Sequence, residues 1–229
     1  MPFSGDYSGY ELDTSFIEES HHTNPRRLYS TYGADWQYRV DHERMRRERL
    51  ERAREEMIAD DMGAIVVFAG ANVRYLTGSY QGNWKYNINI RYAVLPREGE
   101  PYLFETAGSD MHNARLDLPW MKDRIRPAMT WQWAEGAVSE MADKMVASVM
   151  EVLKEHGVEK EKIGVDNLDF PALHAFEKAG LRIVNGWPAM SRARVVKTND
   201  EIEQIKMSAS IGDAAMWHIK HEWLKPGVT

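Results

Sequence analysis

The stretch Tyr80 to Tyr92, YQGNWKYNINIRY, gathers Trp84, Tyr86 and Arg91 close together before or within a strand. A guanidinium presents a planar fork of donors that a carboxylate matches, and aromatic rings stack on planar or cationic groups. These three residues are the leading candidates for ligand contact in the chain, although core packing or surface pairing is the commoner role for any one of them. His218, His221 and Glu222 fall three or four apart on one helical face. They lack the H-E-x-x-H order of a zinc helix and read as surface or interface residues. Asp166 follows a strand-like run and precedes a helical one, where turns and caps usually claim carboxylates. Trp131 and Trp133 flank a single residue and are expected to point to the same face of a short strand, packed inside. The glycines at Gly70, Gly78 and Gly82 fit neither G-x-G-x-x-G nor a Walker loop, so no nucleotide cofactor is expected. There is no cysteine, which excludes thiolate nucleophiles, disulfides and cysteine-based zinc sites. No nucleophile with its base, no carboxylate pair and no metal-ligand set stands at workable spacing, so no catalytic residue and no metal ligand is assigned.

The elements that must position these residues alternate between strand and helix. A charged helix is expected over about Asp41 to Asp60, with Met45, Leu50, Ala53, Met57 and Ile58 as its buried side. The apolar run AIVVFAG after Gly63 has strand length and the composition of a strand buried on both faces. Asn72 to Gly78 reads as a short helix ended by glycine, and INIRYAVLP with PYLFET as a hairpin around Arg97 to Glu100. A short strand at Arg124 to Ala128 precedes a helix from Glu135 to His156, whose apolar positions recur every three or four residues up to Gly157. Lys162 to Asp166 and Leu181 to Val184 are further strands, separated by a helix over Phe170 to Ala179. This alternation predicts an α/β domain with a mixed central sheet flanked by helices.

Two segments lie outside that pattern. Residues up to about Val40 are rich in Ser, Tyr, Gly, Asp and His with little periodicity, an irregular arm carrying many aromatics. At the other end a linker and short helix from Trp187 lead into a long helix that starts near Thr198 to Asp200. Its stripe of Ile202, Ile205, Ala209, Gly212, Met216, Ile219 and Trp223 requires a covering surface. Lys225, Pro226 and Gly227 then turn the chain onward, so an incomplete following domain is expected. The division is 1–40 arm, 41–190 α/β domain, and 191–229 linker and first helix of that next domain.

Size and charge bound the function. A chain of 229 residues with 43% hydrophobic content supports a genuine core. Its net charge of -6 gives no electrostatic footprint for nucleic acid or an anionic membrane, and the basic stretch Arg44 to Arg54 is matched by neighbouring acids. No apolar run has bilayer length, and the N-terminus lacks the marks of a signal peptide, so the expected setting is cytoplasmic.

The chain resembles the N-terminal domain of the pita-bread metallohydrolases, the family of creatinase and aminopeptidase P. The likeness runs in order through GAIVVFAGANVRYLTG, INIRYAVLP, KIGVDNLDF and the junction R-x-V-K-T-x-x-E-I-E-x-I-K at Arg194 to Lys206, ending in LKPGVT. It covers about Asp41 to Thr229. The resemblance implies a creatinase-type N-terminal domain followed by the first helix of a truncated pita-bread domain. It also implies a homodimeric, metal-dependent hydrolase acting on a small-molecule or peptide substrate. The family's divalent metal pair (Mn, Co, Zn or Fe) is held beyond the stretch that aligns here, so no cofactor is assigned to this chain and the chain alone is expected to be inactive. Its contribution would be dimerisation and substrate selectivity, with Arg91 the nearest match to an arginine that contacts the substrate carboxylate and Trp84 and Tyr86 its neighbours. NVRYLTGSYQGNWKYNINIRYAVL also resembles the bacterial dimethylsulfoniopropionate lyases of the same superfamily. Those enzymes use the fold for elimination from a cationic carboxylate. The remaining alternative is a free-standing binding or assembly module that pairs with a separate catalytic chain.

Overall fold

The computed structural model describes residues 40–79, 90–224 and 226–227. The chain divides into two compact units, one of them His42–Thr198.

Within His42–Thr198 the order is α1 (His42–Ala59), β1 (Met62–Val67), α2 (Gly70–Thr77), β2 (Tyr92–Pro96), β3 (Tyr102–Glu105), α3 (Ser109–Asp117) and a 3-10 stretch, Pro119–Arg124. It continues through β4 (Ile125–Pro127), α4 (Val138–Glu155), β5 (Lys162–Val165), α5 (Phe170–Lys178), β6 (Arg182–Asn185) and α6 (Trp187–Val195). The six strands form one sheet in the order β4-β3-β2-β1-β5-β6. β1–β2 and β2–β3 are antiparallel and form a meander, whereas β3–β4, β1–β5 and β5–β6 are parallel. The sheet is therefore mixed, as the alternation of elements predicts.

Strand periodicity divides the core into two layers. Ala64 and Val66 of β1, with Tyr92, Val94 and Phe104, face α4 and α5 through Met145, Val149, Ala172 and Phe176. Ile65 and Val67, with Ala93, Leu95 and Leu103, face α1, α2 and α6 through Leu50, Met57, Leu76 and Met190. β1 is buried along its whole length, which is why it carries no polar alternation. Ile58 departs from expectation: it is exposed, because the buried stripe of α1 passes through Leu50, Ala53 and Met57 and the next residue turns about 100° away from it. The glycine stops hold. Gly78 caps α2 with φ 77° and donates its amide to the Arg74 carbonyl.

The other unit contains α7 (Asn199–His218), which passes into a wider π turn at Ile219–Trp223. Asp200 and Glu201 at its start are buried, and Asp200 accepts the Asp41 amide at 2.9 Å. Ile202, Ile205, Met216, Ile219 and Trp223 of the apolar stripe are all exposed.

Candidate functional site

Two buried polar groups interrupt the core of His42–Thr198, one within the β2–β3 hairpin and its approach and one joining segments far apart in sequence. The first centres on Arg91, the residue just before β2. Its Nη2 lies 2.8 Å from Oε2 of Glu105, the last residue of β3, with side-chain exposures of 4% and 0%. The antiparallel register pairs Tyr92 with Phe104, so one step further along Arg91 meets Glu105 directly across the ladder. Nη2 also donates to Ser79 Oγ at 2.7 Å, while the Thr106 amide donates to Glu105 Oε1 at 3.1 Å. Among the described residues Arg91 Nε has no hydrogen-bond partner. Burial lowers the Arg91 guanidinium pKa and raises that of the Glu105 carboxyl, each shift opposed by the charge of the partner. The aromatic stack Tyr92–Phe104, with ring centroids 4.5 Å apart, continues from this pair into the α4 side of the core.

The sequence reading placed Arg91 among ligand contacts. In the structure it is an interior side chain held by an internal carboxylate and a serine. Trp84 and Tyr86 lie outside the described residues.

The second group lies at the carboxyl ends of the adjacent parallel strands β1 and β5. Asp166 follows β5 directly and is 9% exposed. Its Oδ1 accepts the Phe68 amide at 2.7 Å, and its Oδ2 accepts the Ala69 amide at 3.2 Å and Asn72 Nδ2 at 2.8 Å. Asn72 Oδ1 in turn accepts Arg194 Nη1 at 2.9 Å. Burial raises the Asp166 carboxyl above its ordinary range, against the opposing pull of these donors. Local sequence assigns Asp166 to a turn or cap, yet the residue that caps α5 is Asp169. That side chain accepts the Ala172 amide at 3.0 Å and Trp131 Nε1 at 2.8 Å.

Other sequence candidates separate. Trp131 is buried, packed edge-on against Phe68, whereas Trp133 is 64% exposed. They do not share a face because a turn, closed by the Ala134 amide on the Trp131 carbonyl, replaces the expected strand. His218 and His221 flank the Trp217 ring at centroid distances of 5.3 and 4.6 Å, and His218 Nδ1 lies 3.9 Å from Glu222. Among the described residues no group of three or more His, Cys, Asp or Glu is placed to hold a metal ion, and no helix is long and apolar enough to cross a membrane. Sequence reasoning missed Glu105 and the Asp166–Asn72–Arg194 chain. A charged residue ending an otherwise apolar strand was the only available signal for Glu105.

Comparison with known proteins agrees with this architecture. Residues 49–196 match the family model described as the Creatinase/Prolidase N-terminal domain. Dimethylsulfoniopropionate lyase DddP of Roseovarius nubinhibens is 25% identical over 194 residues, covering 82% of this chain and 43% of the relative. The enzyme of the same name from Roseobacter denitrificans is 24% identical over 174 residues, covering 75% of this chain and 38% of its own length. The chain thus spans less than half the length of these curated relatives. Among solved structures, an Xaa-Pro dipeptidase from Bacillus anthracis superposes with TM-score 0.58 at 19% identity, covering 80% of this chain and 45% of that one. A prolidase from Thermococcus sibiricus gives 0.55 at 19% identity, covering 79% and 45%. At such identities the structural likeness shows the fold.

Proposed function

Because this chain belongs to the Creatinase/Prolidase N-terminal domain family, we propose that it is the non-catalytic N-terminal part of a metal-dependent enzyme of that group, supplying dimerisation and substrate selectivity. The observation that carries the reading is the combination of a matched, fully cored domain with relatives about twice as long. In this reading 41–190 is the family domain, 191–229 is the linker with the first helix of the catalytic domain, and 1–40 is an added arm. The exposed apolar residues of α7 are then the face that the catalytic domain covers, as an amphipathic helix requires. The described residues do not fit a divalent metal pair, so Mn, Co, Zn or Fe is assigned to the remainder of the enzyme and no step is derived through it here.

Two reactions suit this assembly. Hydrolysis of a small amide or peptide bond follows from the resemblance to creatinase and aminopeptidase P. Elimination from a zwitterionic carboxylate is favoured by a specific observation: both curated relatives are named lyases, and the first aligns over 194 residues, a longer stretch than the family domain itself. Trp84, Tyr86 and Arg91 are the proposed substrate contacts, aromatic rings for a cationic or apolar end and the guanidinium for a carboxylate. Nη2 of Arg91 is engaged by Glu105 and Ser79, so a substrate carboxylate on that edge would compete with them.

Incubating the purified chain with each metal and with Xaa-Pro dipeptides, creatine and dimethylsulfoniopropionate tests the assignment. No turnover is expected, and metal-dependent turnover of any of them would overturn the non-catalytic reading. In the full-length enzyme that this reading requires, release of dimethylsulfide supports elimination and release of proline supports hydrolysis.

A further inference from the structure

Open α/β sheets bind small ligands in the crevice beyond the carboxyl ends of their strands, where helix N-termini present free amides. In this chain that place, between β1 and β5, is filled from within. α2 begins after Ala69, which has no side chain able to cap it. The missing acceptor arrives from 98 residues away: Asp166 takes the Phe68 and Ala69 amides and the Asn72 amide nitrogen. A carboxylate so placed also complements the positive end of the α2 dipole.

The connection continues beyond α2. Because Asp166 draws Asn72 Nδ2, the amide has one orientation available, and its Oδ1 is turned to Arg194 Nη1. Arg194 stands at the end of α6 and is the first residue of the junction motif read from the sequence. α6 starts at the close approach of Gly186 to β5, where an added Cβ would stand 2.9 Å from the Val165 nitrogen. Tyr75 of α2 donates to the Ala193 carbonyl at 2.8 Å on the same helix.

We propose that Asp166 is a built-in anion occupying the ligand crevice of this sheet, and that through Asn72 it orients Arg194 and fixes the last turn of α6 against the β1–α2 turn. Asp166 is thus a positioning residue. The inference rests on these contacts and is independent of which reaction the full enzyme performs.

Truncation of the carboxylate leaves its donors facing a hole that formate can enter. In Asp166→Ala the thermal midpoint should fall by several degrees, and formate should raise it again by ligand linkage, whereas chloride at equal ionic strength should not. The wild type, whose crevice is full, should show no formate-specific rise. Hydrogen exchange of the Ala193–Val195 amides should accelerate about tenfold in Asp166→Ala and be slowed again by formate. In Asn72→Ala the same acceleration should persist with formate present, because the link to Arg194 is cut. Arg192→Ala, which removes only the exposed pairing of α6 with Glu56 and Asp60, should not respond to formate. Equal formate shifts in wild type and Asp166→Ala, or unchanged exchange at Ala193–Val195 in Asn72→Ala, would overturn the proposal. Should Asp166→Ala not fold, the Asn72→Ala exchange measurement decides alone.

Discussion

Arg91 and Glu105 face each other across the start of the β2–β3 ladder, 2.8 Å apart and both almost wholly out of water. Removing one partner strands the other's charge in the core, which typically costs about 3–5 kcal/mol, whereas replacing both by apolar residues of similar volume is often near neutral. Arg91→Met and Glu105→Leu should therefore each lower the urea midpoint strongly, and the double variant should recover most of the loss. A double variant as unstable as the sum of the two singles would show that the pair is not a coupled unit.

The same residue carries the proposed selectivity. In the full-length enzyme, Arg91→Lys keeps the charge but loses the planar fork, so KM should rise more than kcat falls. Trp84→Ala and Tyr86→Ala should also raise KM. Steady-state kinetics on the folded variants decides, and KM values unchanged in all three would remove this cluster from the substrate path.

Acid sensitivity has a definite contributor on the surface. The hydrogen bond from Arg126 holds the Glu155 carboxyl below its ordinary pKa, aided by the Tyr102 hydroxyl, at bond lengths of 2.8 and 3.0 Å. The unfolded chain therefore takes up this proton at a higher pH than the folded chain. The contribution to stability is present above the unfolded value and is lost as pH falls through the folded one. Paired urea melts of wild type and Glu155→Gln should converge as the pH drops below ~4. A difference that stays constant or widens would contradict the assignment. The effect should be small, since the group is largely solvated.

Two glycines separate backbone strain from crowding. Gly180 has φ 73° with open space around it, so Gly180→Ala should cost only the left-handed penalty of about 1–2 kcal/mol. Gly99 has φ 105°, and an added Cβ would lie 2.7 Å from His156 Cε1. Gly99→Ala should be the more destabilising of the two in thermal melts, and the reverse order would mean that His156 moves aside freely.

What was legible in the sequence was whatever is written locally. β1 announces itself by an unbroken apolar run, α4 by its repeat of Met145, Val149 and Val152, and the helix ends at Gly78, Gly157 and Gly180 by residues that tolerate positive φ. Glu105 was not legible, because its meeting with Arg91 depends on the register of a hairpin. For Asp166 the sequence suggests a turn or cap, and the carboxylate does accept the neighbouring Asn167 amide and serve a helix start. That the helix is α2, with partners 94 to 98 residues away, is what no local pattern encodes. Trp131 and Trp133 were given one face on the assumption of a strand, and a single turn sends the two rings apart.

The central strand β1 is joined on one side to β2, which follows it closely in the chain, and on the other to β5, with Met62 beside Lys162. Closing the second contact means ordering a far longer loop, so the meander of β1, β2 and β3 has the entropic advantage and the parallel half is expected to form after it. Asp166 then acts as the fastener of the later half. Its loss should leave the refolding arm of a chevron nearly unchanged and steepen escape from the native state, so that this carboxylate governs how long the domain stays folded rather than how fast it gets there.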